Sequence, residues 1–111
     1  MNRIPQELIA QCVADQEFTI ADRTYKILRV PYRNALKIIG AAQQIERGSI
    51  VIGDPGWVEM EKEVSKYFML DNSIISRLPN HFEDHPEDYM TFITYAIGMI
   101  SHPFMKGIAT S

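Results

Sequence analysis

Apolar residues fall at helical spacing along most of the chain and alternate in one stretch. After Pro5, the residues Leu8, Ile9, Cys12 and Val13 occupy i, i+1, i+4 and i+5, which predicts a short helix over 5–14 with a proline in its first turn. Residues 17–20 and 24–30 are rich in Thr, Ile, Tyr, Phe and Val around a turn at Asp22, the pattern of a β-hairpin. Phe18, Ile20, Tyr25 and Ile27 can face a core while Lys26 stays in water. Pro31 ends the second strand and presets φ for a helix carrying Ala35, Leu36, Ile38, Ile39, Ala42 and Ile45, which stops at Gly48. Asp54 caps a third helix, predicted over 55–69, whose stripe is Trp57, Met60, Val64, Tyr67 and Phe68. Between these helices, residues 49–52 fit a strand or a packed loop equally.

The C-terminal part is read from its caps and prolines. Asp71, Asn72 and Ser73 can cap one or two helical turns through Ile74, Ile75 and Leu78 before Pro79. Pro86, Glu87 and Asp88 open a closing helix with Tyr89, Phe92, Ile93, Ala96, Ile97 and Ile100 inward. Pro103 is expected to end it, leaving 105–111 loose. Together these elements predict an α+β fold, a mainly helical single domain over 1–111 with an N-terminal β-hairpin packed on about four helices and an ordered core at about 5–104. Its buried set should include Leu36, Ile39, Trp57, Val64, Phe68, Phe92, Ile93 and Ala96.

Composition narrows the picture. At 111 residues and 46% hydrophobic, the chain can bury one modest core. The lone Cys12 excludes an internal disulfide and a cysteine-based zinc site. No run of 18 apolar residues occurs, and residues 1–10 lack the basic start and apolar stretch of a signal peptide, so a cytosolic protein without a membrane span is expected.

Charge is unevenly placed. Net charge is −3, yet residues 23–45 hold five bases (Arg23, Lys26, Arg29, Arg33, Lys37) and no acid, whereas most of the acids lie beyond them. Such polarity suits a partner of opposite sign, a second copy included. With Tyr25 and Tyr32 interleaved, the same run could also hold nucleic acid, although a pI of about 5.5 opposes strong phosphate affinity. Catalytic chemistry finds little support. No serine sits in a G-x-S-x-G turn, Gly53 and Gly56 lack the lysine of a phosphate loop, and Cys12 lies on an apolar stripe. His81 and His85 are spaced i, i+4, but Pro86 biases His85 out of the α region, so a solvated acidic helix entry is expected rather than a metal site. His102, beside Pro103, reads as a helix end. No enzyme, cofactor or metal is expected.

The order of the hairpin and helix "EFTIADRTYKILRVPYRNALKIIGAA", the acidic aromatic helix "PGWVEMEKEVSKYFML" and a closing helix ending in "HPF" resembles the tail assembly chaperones of long-tailed bacteriophages. The likeness covers roughly residues 16–104, and its centre is the hairpin-to-helix junction "YKILRVPYRNALKI". The resemblance implies a non-enzymatic protein of the host cytoplasm that binds the tape measure protein, helps tail-tube subunits assemble around it and is usually absent from the finished virion; the alternatives are another small phage morphogenesis or connector protein, or a nucleic-acid-binding phage regulator using the basic 23–37 segment. It carries over no catalytic residues. An adaptable apolar groove between the acidic aromatic helix and the closing helix, formed by Met60, Tyr67, Met90 and Met99, would suit a helical tape-measure segment. Glu59, Glu63, Glu87 and Asp88 would rim it, and Arg23, Lys26, Arg29 and Arg33 would form a second, basic contact surface.

Overall fold

The structure is a computed structural model that describes residues 4–109, with side chains described through Met105. Helix α1 (Gln6–Asp15) leads into strands β1 (Glu17–Ile20) and β2 (Arg23–Ile27). Helices α2 (Tyr32–Glu46) and α3 (Pro55–Ser65) follow, then strands β3 (Phe68–Leu70) and β4 (Ser73–Ile74). A one-turn 3-10 helix at Ile75–Arg77, the short α4 (His81–Asp84), a second 3-10 turn at Pro86–Asp88 and the long α5 (Tyr89–Ala109) complete the chain. The fold is α+β and mainly helical, as the periodicity predicts.

The hairpin forms where alternation places it, with Phe18 opposite Tyr25. It is half of a larger sheet. β2 also pairs antiparallel with β3, Tyr25 opposite Leu70 and Ile27 opposite Phe68, and β3 pairs with β4 to give the order β1-β2-β3-β4. Here the predicted helix over 55–69 is corrected. It ends at Ser65, because the free edge of β2 offers unsatisfied backbone groups that Phe68–Leu70 can bond, and because Phe68 and Leu70 then alternate onto the buried face. Asp71, Asn72 and Ser73 are not helix caps. Asp71 and Asn72 both adopt left-handed backbone (φ 51° and 69°), forming the two-residue turn of a β3–β4 hairpin.

Residues 49–52 form no strand. They make a loop in which the Ser49 amide bonds Gln44 and the Val51 amide bonds the Asp54 carboxylate, so Asp54 braces this loop instead of capping α3 with its side chain. Pro103 does not end the closing helix: α5 continues to Ala109, with residue 103 giving no amide bond to the Met99 carbonyl. The expected loose tail is therefore helical from 105 to 109, and residues 110 and 111 lie outside the described residues.

An aromatic cluster forms the core between the sheet and α5. Phe18 stacks on Tyr25 at 5.2 Å and on Tyr95 at 4.7 Å, and Phe92 meets Phe68 edge-on at 5.4 Å. Ile39, Trp57, Val64, Phe68, Phe92, Ile93 and Ala96 are all buried. Leu36 is not: it is 51% exposed, roughly 100° round the helix from buried Ala35. Helix α1 closes the far side of α5 by seating Ile9 over Gly98, where a Cβ would meet the isoleucine at 2.7 Å. Cys12 is buried, as its stripe implies, and burial raises its thiol pKa.

Candidate binding groove

The site is assembled from a polar knot that the sheet forces into being. Arg23 and Tyr25 stand two residues apart on β2 and so point to the same, inward side. An inward arginine needs a buried acid, and Asp88 supplies it from the turn before α5. Arg23 donates to Asp88 twice, from Nε to Oδ2 at 2.6 Å and from Nη2 to Oδ1 at 2.9 Å, the forked geometry of a strong ion pair. The Tyr25 hydroxyl donates to Asp88 Oδ2 at 3.0 Å, which leaves its lone pair to accept from His81 Nε2 at 2.7 Å. That assigns the proton of His81 to Nε2.

The electrostatics follow from this arrangement. Asp88 is only 1% exposed, and its hydrogen bond from Arg23 holds its carboxyl below the usual range. Burial pushes the Tyr25 hydroxyl well above its ordinary value and, with His85 nearby, pushes the His81 imidazole down. The knot ties α4 and the start of α5 to the hairpin. On the other flank Trp57 of α3 donates from Nε1 to the Tyr89 hydroxyl at 2.8 Å. Burial, then the adjacent Glu61, pushes Tyr89 up to about 12.

Beside Tyr89, between α3 and the segment from Ile75 to Pro86, lies a cavity of about 700 Å³. Its apolar lining is Ile75, Leu78, Pro79, Phe82, Pro86 and Tyr89. Helix α3 forms the opposite wall through Glu61, Lys62, Ser65 and Lys66, with Lys66 held by Glu63 at 2.8 Å, and Glu83 stands on the α4 wall. The volume and apolar character fit a few side chains of an extended or helical segment.

The expected groove differs from this one. α3 and α5 pack directly on each other, so Met99 is 2% exposed and closes the core. Met60 is 3% exposed and reaches only a smaller cleft of about 200 Å³ between α2 and α3, which Glu59 and Glu63 share. Tyr67 and Met90 are half-buried, and the Tyr67 hydroxyl accepts from Asn34 of α2. None of these four lines the larger cavity. Of the expected acidic rim, Glu59 and Glu87 are exposed, while Asp88 is the buried partner of Arg23. The basic set divides likewise: Arg23 is drawn inward, and Lys26, Arg29 and Arg33 are exposed.

His81 is also a correction, since it is buried in the knot rather than solvated. Its ring lies 5.3 Å from that of His85, yet its Nε2 is committed to Tyr25, and the described residues contain no cluster of three histidine, cysteine or acidic side chains able to hold a metal ion. No described helix is long and apolar enough to cross a membrane. Compared with known proteins, the chain has no significant match among family models, curated proteins or solved structures.

Proposed function

We propose that this protein is a non-enzymatic tail assembly chaperone of a long-tailed phage or prophage, working in the host cytoplasm and holding an apolar segment of the tape measure protein in the cavity between α3, α4 and the start of α5. The observation that carries the binding part is the cavity itself: about 700 Å³, with apolar lining from Ile75, Leu78 and Phe82 facing α3. Apolar side chains that would aggregate in water gain roughly 25 cal/mol per Å² on entering such a groove. Charged residues at its edges, Lys62 and Glu83, would orient the segment. The phage setting rests on the resemblance of residues 16–104.

Co-expression with the tape measure protein encoded beside it tests the reading. Wild-type chain should co-purify, Ser76→Trp, which fills the cavity from an exposed position, should lose the partner while keeping its melting temperature within a few degrees, and Met60→Ser should lose stability first. Retention of the partner by a folded Ser76→Trp protein would overturn the proposed site.

A further inference from the structure

Helix α2 carries a second surface that the fold leaves unused. Its buried side, Ala35, Ile38 and Ile39, faces α3 and α5. The flank beside it presents Tyr32 (59% exposed) and Leu36 (51% exposed), one turn apart, with Gly40 a further turn on. Arg33 and Lys37 run alongside at the same spacing, and Arg29 lies just before the helix. Among the described residues none of these three bases has an ion-pair partner within 4.0 Å, and residues 23–45 contain no acid. Arg33 instead lies over the Tyr32 ring at 5.6 Å and donates to its hydroxyl, which holds both groups at the surface.

Gly40 is the second observation. A glycine inside a helix is less stable than alanine there, and within one molecule it is explained when a neighbour leaves no room for a Cβ. Around Gly40 nothing lies within 4 Å of where a Cβ would stand. The fold of this chain gives no reason for the missing methyl, whereas a helix laid across α2 at that point would need the space to bring its backbone close.

We infer that the Tyr32–Leu36–Gly40 face of α2 docks an acidic amphipathic helix of another protein, with its apolar side chains on Tyr32 and Leu36, its backbone crossing at Gly40 and its carboxylates on Arg29, Arg33 and Lys37. Charge decides the class of occupant. The same face of a second copy would set Arg33 and Lys37 against their own kind, and a segment rich in lysine or arginine would meet the same repulsion. This surface shares no residue with the 700 Å³ cavity, so it stands whether or not that cavity holds a tape-measure segment.

Two synthetic 20-residue helical peptides, identical in their leucine stripe but flanked by glutamates in one and by lysines in the other, provide the test. Fluorescence anisotropy with the full chain should show the glutamate peptide bound, at least tenfold more weakly in 0.5 M than in 0.05 M salt, and the lysine peptide unbound. Gly40→Leu and Leu36→Ser should each weaken the glutamate peptide about tenfold or more with the fold intact by circular dichroism. Gly40→Ala should raise the melting temperature by roughly 4–8 °C, since it adds helix propensity and meets no neighbour. Equal binding of both peptides, no binding of either, or indifference to Gly40→Leu would overturn the inference. So would concentration-dependent self-association that Gly40→Leu abolishes, which would give the face to a second copy, or tighter binding of a 15-nucleotide single strand, which would give it to nucleic acid.

Discussion

Asp88 shows how one residue can carry more than its sequence context suggests. Beside Glu87 and after Pro86 it reads as an acid at a helix start, yet it is the buried acceptor for both Arg23 and Tyr25. Asp88→Asn would leave the Arg23 charge without its forked partner and should lower stability, measurable by urea unfolding. Arg23 on the inward side of β2 is the signal that could have revealed it, because two residues of separation on a strand put it beside Tyr25. The site at His81 predicts a pH effect. Its pKa is lowered in the fold, so as pH falls below about 6.5 the unfolded chain takes up a proton that the folded one resists, and stability drops across that interval. His81→Gln should flatten that part of the stability–pH curve, while the Asp88 contribution, whose carboxyl is lowered, persists until pH falls through the carboxylate range.

At the scale of elements, what was legible depended on whether a segment could satisfy itself. The hairpin and helices α1 and α2 form from their own alternation, prolines and apolar stripes, and they stand where the pattern puts them. β3 does not: a strand of three residues is specified by the waiting edge of β2, and until that edge is known Tyr67 and Phe68 continue the helical stripe of α3 equally well. Without β3 and β4, the segment from Ile75 to Phe82 has no fixed place, which is why the groove could not be located from the sequence. Ala21 in the β1–β2 turn has a left-handed backbone (φ 56°), so Ala21→Gly should stabilise the hairpin by about 1 kcal/mol, read from the urea midpoint. In α5, Pro103→Ala would restore the amide bond to Met99 and should raise the melting temperature, since the helix already continues past that position.

For the whole molecule, the arrangement is a rigid core with two outward surfaces of different chemistry. Met60 and Met99, which sequence spacing offers as an adaptable binding surface, are core residues, and truncating either should cost roughly 2–5 kcal/mol. The apolar cavity lies between α3 and the segment from Ile75 to Tyr89. The central claim is that this cavity receives an apolar segment of a partner. Its most direct test is an NMR titration of the isotope-labelled chain with successive 30-residue peptides from a phage tape measure protein, the proposed partner. The account predicts that at least one peptide shifts the signals of Ile75, Leu78, Phe82 and Tyr89 together in a saturable way, with Ile9 and Ala96 on the other side of the core unmoved. Saturable binding that leaves those four residues unperturbed, or no binding by any peptide, would contradict it.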